Sequence, residues 1–342
     1  MPRKLTVLVS FPPPRPTSNP YNTLLVDALR DQPGVTVLNF SWRTALLGTY
    51  DVFHVHWPEI LVDGHSPLKK AARQGLFVAL MTRLQLTRRP LVRTLHNLEL
   101  PRGISHVETG LLRWAERRTT LWIAINDQTP REPGRHYALA LHGHYRDWYS
   151  RHPRSQVIPG RIGFFGMIRG YKNVPGLVRA LRELDDPSLS LRVSGRPSHD
   201  GLVTEITEAA GDDPRVHLEF GFLDDADLVE LVTSSELVVL PYPEMHNSGS
   251  AFAALSLGRP VLLPDNEVNR LLADEVGADW VQSYHGELTG RAIVQALEAV
   301  RGIAPGAAPN LSSRDWGPIA GQHVAAYREA LALVQRTRST LE

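Results

Sequence analysis

Residues 237–264, LVVLPYPEMHNSGSAFAALSLGRPVLLP, constrain the fold of this chain more than any other stretch. The apolar run Leu237 to Leu240 predicts a buried strand. A polar run, His246-Asn247-Ser248-Gly249-Ser250, leads into Ala251 to Leu257, a segment of good helix formers. Gly258-Arg259-Pro260 stops that helix, and Val261 to Leu263 predict the next strand. Two buried strands joined by one helix make a parallel βαβ unit. A Ser-Gly-Ser turn opening such a helix offers backbone N–H groups and the positive end of the helix dipole to an anion. The same residues also suit an ordinary helix cap.

The alternation recurs along the chain. In the first half, strands are expected at Leu5–Phe11, Val35–Phe40, Tyr50–His56, Leu91–Leu95 and Leu121–Ile125. Helices are expected at Tyr21–Asp31, 68–86 and Val107–Arg118. In the second half, Arg161–Phe165, Leu189–Ser194 and Val216–Phe220 read as strands. Val174–Leu184, Leu202–Ala210 and Asp224–Ser234 read as helices, with Glu287–Arg301 and Trp316–Arg336 further helices near the end. Strands alternating with helices at this spacing mean an α/β fold with parallel, doubly wound sheets. The length of 342 residues suits two such domains. The polar, turn-rich run 142–153 reads as the linker. This gives an N-terminal domain over 1–152, a second over 153–313, and a helix over 314–342 that crosses back to the first. In doubly wound sheets ligands sit at the carboxyl ends of the strands, so a cleft between the domains is the expected site.

Charge divides along the same line. Residues 1–155 hold 21 Lys and Arg against 11 Asp and Glu, while the whole chain carries a net charge of only +1. Such asymmetry points to an anionic partner or to mutual attraction of the halves. The helix at 68–86 sets Lys69, Lys70, Arg73 and Arg83 among Leu68, Leu76, Phe77, Leu80, Met81 and Leu84. That pattern suits an anionic membrane surface, or a helix covering its own sheet with its cations in water. No groove-reading or base-stacking motif points to nucleic acid. The chain contains no cysteine, which excludes disulfides, thiolate metal sites and cysteine nucleophiles. No apolar run approaches a spanning helix or a secretory leader, so a cytoplasmic protein is expected, peripheral to the inner face of the membrane.

Candidate chemistry gathers at strand ends. Gly163-Phe-Phe-Gly166-Met-Ile-Arg169-Gly170-Tyr-Lys172-Asn173 lies between a strand and a helix, and fits neither a Walker A loop nor the GxGxxG fingerprint. Two cations at a helix start suit a diphosphate. In the first half, Asn19 and Tyr21 end the loop after the first strand. His54, His56, Trp57 and Glu59 close the third strand, and His96 and Glu99 close the fourth. Histidines and carboxylates at successive strand ends suit acid–base work and sugar positioning. No ligand set supports a metal.

Taken together, these segments resemble GT-B glycosyltransferases of the glycosyltransferase family 4 type. GFFGMIRGYKNV is similar to that family's strand–Gly–Arg–x–x–Lys segment, and PYPEMHNSGSAFAALSLGRPVLLP to its donor loop. DVFHVHWP and VRTLHN resemble its strand ends, and RDWGPIAGQHVAAYREAL its closing helix. The resemblance implies an acceptor-binding first domain and a second domain that binds a nucleotide-sugar. It implies Arg169 and Lys172 on the diphosphate, Asn247, Ser248, Gly249 and Ser250 beside it, and His96 near the transferred sugar. One departure stands out. The family's two donor-loop glutamates, eight apart, fall here on Met245 and Ala253, which leaves the retaining or inverting outcome open. VSFPPP…NPYN, the FHVHW strand end and the NSGS loop are more similar to GDP-mannose:glycolipid 4-beta-D-mannosyltransferases, which invert.

The expected function is transfer of a sugar, mannose from GDP-mannose being favoured, to a lipid-linked or polysaccharide-precursor acceptor. His96, Glu59 and Glu99 are the catalytic candidates. Arg169, Lys172, Asn247, Ser248, Gly249, Ser250 and Glu267 are the donor-binding ones. Asn19, Tyr21, His54, His56 and Trp57 would place sugar or acceptor. The nucleotide-sugar enters as co-substrate, with no metal or cofactor expected. A nucleotide-sugar epimerase on the same scaffold and a non-catalytic sugar- or nucleotide-binding protein are the alternatives.

Overall fold

The computed structural model describes residues 4–15, 17–101 and 103–339. The amino-terminal residues 1–3, Pro16 within the proline-rich loop, Arg102 and residues 340–342 lie outside that set. The chain forms two compact units, Met1–Gly143 with Arg314–Glu342, and His144–Ser313.

The first unit contains β1 (Leu5–Val9), α1 (Pro20–Arg30), β2 (Val35–Leu38), α2 (Trp42–Leu47), β3 (Val52–Val55), α3 (Glu59–Val62), α4 (Pro67–Leu86), β4 (Leu91–Leu95), α5 (His106–Arg118), β5 (Thr119–Ala124) and β6 (Tyr137–Leu139). Its sheet is parallel throughout, in the order β2-β1-β3-β4-β5-β6. The strands β3 and β4 are buried at every position, as a sheet covered on both faces requires. The short helices α2 and α3 and the edge strand β6 escaped the sequence reading. Each is too brief to show a period.

In the second unit come α6 (Arg146–Tyr149), β7 (Arg161–Phe165), α7 (Val174–Arg182), β8 (Ser190–Gly195), α8 (Asp200–Ala210), β9 (Val216–Phe220), α9 (Asp225–Ser234), β10 (Leu237–Val239), α10 (Gly249–Ser256), β11 (Val261–Pro264), α11 (Glu267–Val276), β12 (Val281–Tyr284) and α12 (Gly290–Val300). Its sheet is again all parallel, in the order β12-β11-β10-β7-β8-β9. The pair α11 and β12 was not foreseen. Residues 144–152 pack with this unit: the Tyr145 amide donates to Ser256 Oγ at 2.8 Å, and Trp148 Nε1 donates to Asp225 at 2.8 Å. The closing helix α13 (Trp316–Ser339) belongs to the first unit, where it packs on α1 and β5.

Strand order fixes where ligands fit. In the first unit the order reverses between β1 and β3, and in the second between β7 and β10. A reversal opens a crevice at the carboxyl ends of the two strands. The loops leaving β1 and β3, with the first turns of α1 and α3, carry Asn19, Tyr21, His56 and Glu59. Those leaving β7 and β10 carry Arg169, Lys172 and the NSGS turn.

Helix α4 answers the question its charges raised. Phe77, Leu80, Met81 and Leu84 are buried in the core beside Phe53 and Leu112. Arg83 donates to the carbonyls of Ala45 and Gly48 at the end of α2, Arg73 donates to the Asp63 carbonyl, and Lys70 pairs with Glu108 at 2.6 Å. Its apolar face covers the sheet, and three of its cations are occupied within the unit. Its two ends differ: Leu86 is 78% exposed at the carboxyl end, and a wider open patch lies at the amino-terminal end. Leu68 there is 82% exposed, Ile60 and Val107 at the starts of α3 and α5 are also open, and Lys69 is exposed beside them.

Candidate functional site

In the second unit the chain leaves β7 through Gly166, whose φ of 104° is unfavourable to residues with a Cβ. A Cβ there would lie 3.5 Å from Ser250 Oγ and 3.9 Å from Lys172 Nζ, so three elements face one small space. Lys172 follows in a short 3₁₀ turn and is only 8% exposed. Its Nζ stands 4.9 Å from the centroid of the Tyr242 ring. No carboxylate lies within 4.0 Å of it among the described residues. Burial, and then repulsion from Arg169, lower its pKa to about 8. Arg169 itself is exposed. A buried ammonium beside a second cation and without a counter-charge is costly unless an anion arrives.

Ser248 starts α10, and its Oγ accepts the Ala251 amide at 3.2 Å, so the cap forms. Capping and anion binding coexist, because the cap occupies only one of the orphan donors of the first turn. The preceding loop is latched from α11: Asn266 Nδ2 donates to the Met245 carbonyl at 2.9 Å, while Asn266 Oδ1 accepts the Asn269 amide. Asn266 is therefore the cap of α11, and Glu267 is a largely exposed acid in its first turn. The sequence reading passed over both Asn266 and Tyr242. The Asn-x-x-Asn spacing before an amphipathic run was the available signal for the first. Tyr242 gave none beyond being aromatic.

The first unit holds a buried histidine cluster. His54 is fully enclosed, its Nδ1 2.8 Å from the Tyr327 hydroxyl of α13 and its Nε2 2.8 Å from Thr94 Oγ1. Both ring nitrogens of this expected sugar-positioning residue are bonded within the fold. His56 is also buried, and its Nδ1 lies 2.9 Å from His96 Nε2. Trp57 stacks on the His96 ring at 4.1 Å with an 18° tilt, and Tyr21 meets the same ring edge-on at 5.1 Å. Burial above all holds the imidazoles of His54, His56 and His96 well below the ordinary range, helped by repulsion from neighbouring histidines, His323 among them, and at His96 from Arg93. These rings are neutral at neutral pH.

The remaining first-unit candidates divide. Asn19 is the cap of α1, its Oδ1 accepting the Tyr21 amide at 3.0 Å, and Tyr21 is buried against His56, His96, His142 and Trp316. Glu59 opens α3 and lines a pocket of about 280 Å³ with Asp63, Lys70, Ile104 and Glu108. Glu99 is exposed beyond β4, and His96 and Trp57 keep part of their surface open. Thus His56, His96, Trp57 and Tyr21 come together in the structure. Among the described residues no group of three or more His, Asp or Glu is placed to hold a metal ion.

The chain is 44% identical over 328 residues to a GDP-mannose:glycolipid 4-beta-D-mannosyltransferase of Xanthomonas campestris pv. campestris, covering 96% of this chain and 93% of that protein. It belongs to that family. The family is one of glycosyltransferases, and the chain is a glycosyltransferase accordingly. No protein-family model matches the chain. Among solved structures, a sucrose-phosphate synthase from Thermosynechococcus elongatus superposes with a TM-score of 0.59 at 13% identity, over 96% of this chain and 100% of the other. An Anabaena protein solved in complex with UDP gives 0.56 at 15% identity, over 98% and 99%. Likeness at that identity shows the fold, which is GT-B. The expected mannosyltransferase resemblance and the two-sheet α/β fold are both borne out. No helix among the described residues is long and apolar enough to cross a membrane.

Proposed function

We propose that this protein transfers mannose from GDP-mannose to a glycolipid hydroxyl, forming a β-1,4 linkage with inversion. The identity over nearly the full length to a transferase named for that reaction carries the reading. The second unit is the donor side. Lys172 and Arg169, with Asn247, Ser248, Gly249 and Ser250 at the start of α10, take the diphosphate, and Glu267 would hold ribose or sugar hydroxyls. The unpaired, buried ammonium of Lys172 supports this assignment.

The first unit is the acceptor side, with Trp57, His56, Tyr21 and Asn19 shaping the site and His96, Glu59 and Glu99 supplying the chemistry. The acceptor oxygen bonds to the mannosyl C1 as the bond from C1 to the phosphate oxygen breaks. The hydroxyl proton passes to a base, and GDP leaves. An α-linked donor giving a β-linked product requires attack from the opposite face, hence one displacement with a base on the acceptor side. Lys172 and the α10 amides stabilise charge on the departing diphosphate. No metal is invoked. The enzyme works in the cytoplasm at an anionic membrane surface, which the exposed Ile60, Leu68, Val107 and Lys69 would meet.

The test is titration with GDP, UDP and ADP, followed by radiolabelled GDP-mannose and a lipid-linked saccharide extract. Preferential stabilisation by GDP and label entering the lipid fraction are expected. Equal indifference to all three nucleotides would sink the proposal.

A further inference from the structure

The buried imidazole pair decides what His96 is able to do. One proton is shared between His56 Nδ1 and His96 Nε2 across 2.9 Å. The other nitrogen of His56, Nε2, is buried and has no hydrogen-bond partner. Two arrangements of the neutral rings are available. If His96 Nε2 carries the shared proton, the proton of His56 sits on its own Nε2 as a buried N–H with nothing to receive it. If His56 Nδ1 carries it, the orphaned atom is only a lone pair. Unpaired buried donors are rarer in proteins than under-satisfied acceptors. The second arrangement therefore prevails, and it places the proton of His96 on Nδ1.

We infer that His56 is a positioning residue that fixes His96 as a hydrogen-bond donor through Nδ1, so that His96 is not the base. The Trp57 ring stacked on His96 holds the plane of that donor. His54 does not disturb the pair, because Tyr327 and Thr94 occupy both of its nitrogens. Burial keeps His56 and His96 uncharged, as the two-arrangement argument requires. The inference rests on the transferase reading for its purpose. With its proton on Nδ1 and its Nε2 lone pair held by His56, the His96 ring has no lone pair left to take the acceptor proton. The acceptor proton goes to a carboxylate, Glu59 or Glu99.

The tautomer is measurable without substrate. Long-range ¹H–¹⁵N correlation spectra of the ¹⁵N-histidine-labelled protein distinguish Nδ1–H from Nε2–H rings, and loss of one ring's signals in His96→Asn assigns His96. An Nδ1–H ring at His96 is expected. Activity supplies a second arm, since an asparagine amide reproduces an Nδ1–H donor but not an imidazole base. His96→Asn should stay within about tenfold of the parent kcat, with His96→Ala at least tenfold lower again. An Nε2–H ring at His96, or equal loss in the two variants, overturns the inference. A parent protein that moves no mannose from GDP-mannose instead overturns the transferase reading, and the spectra still decide the tautomer.

Discussion

Lys172 Nζ stands 4.9 Å from the centre of the Tyr242 ring, close enough for a cation–π contact. The aromatic face eases the burial of the charge but does not neutralise it. Lys172→Met removes the charge while keeping the stem. GDP affinity should fall about 10- to 100-fold, the worth of a charge-assisted bond of roughly 1.5–3 kcal/mol. Thermal stability should hold or rise, because an uncompensated buried charge is gone. Arg169→Ala, at an exposed position, should cost affinity less. Calorimetric titration with GDP beside melting curves checks all three, and unchanged affinity in both variants would remove the diphosphate assignment.

The same lysine sets a pH limit. With its pKa at about 8, Lys172 loses its charge well below the ordinary lysine range. GDP affinity should decline as pH rises through about 8, and the decline should be absent in Lys172→Met. Stability moves the other way. The unfolded lysine still holds its proton where the folded one has released it. Lys172 therefore opposes folding below about 8, and that penalty fades as pH rises toward the unfolded value.

The histidine cluster acts with the same sign in a lower pH window. Burial pushes His142 and His323 to about 4, and His54, His56 and His96 well below their ordinary value. An unfolded histidine titrates near 6.5, so between roughly 6.5 and 4 the unfolded chain binds more protons. Stability is present in full above 6.5 and is lost as pH falls, each histidine adding about 1.4 kcal/mol per pH unit to the slope. Urea midpoints measured from pH 7.5 to 5 should fall steeply. His323→Leu should flatten the curve.

Asn266 joins two tasks that substitution can separate. Asn266→Ala should lose about 1 kcal/mol of stability with the cap, and should also release the Met245 carbonyl. Asn266→Ser retains capping but not the latch. If the latch matters, GDP affinity should drop about three- to tenfold, or 0.7 to 1.4 kcal/mol, in both variants. Stability should fall in alanine alone.

Membrane contact, if it resides at the amino-terminal ends of α3 and α4, should be removable without harm to the core. Ile60 and Leu68 are 61% and 82% exposed. The double variant Ile60→Ser, Leu68→Ser should co-sediment less with vesicles containing phosphatidylserine while melting as the parent does. Binding equal to the parent's would discard this surface as the contact.

Several of these features were legible in the residues alone. Strands such as Leu237–Val239 and Val261–Pro264 are apolar along their length, because both faces of a parallel sheet are covered. Their period and the helix caps between them declared two doubly wound sheets. The NSGS turn and the Arg169–Lys172 pair raised the expectation of an anion site, since charge and glycine at a strand end carry a local meaning. Edge strand β6 and strand β12 were not legible, being short and ambiguous without their neighbours.

What the tertiary structure alone decided is which polar groups are already satisfied. His54 and His56 sit two residues apart on one strand end with the same sequence credentials. One is tied at both nitrogens to Tyr327 and Thr94, and the other is turned toward His96. Likewise Arg83 and Lys69 share a helix, yet one caps α2 and the other faces water. Hydrophobic period and helix capping are local, so sequence carries them. A hydrogen bond between residues 273 positions apart, as between His54 and Tyr327, depends on how the whole chain closes, and only the fold supplies it.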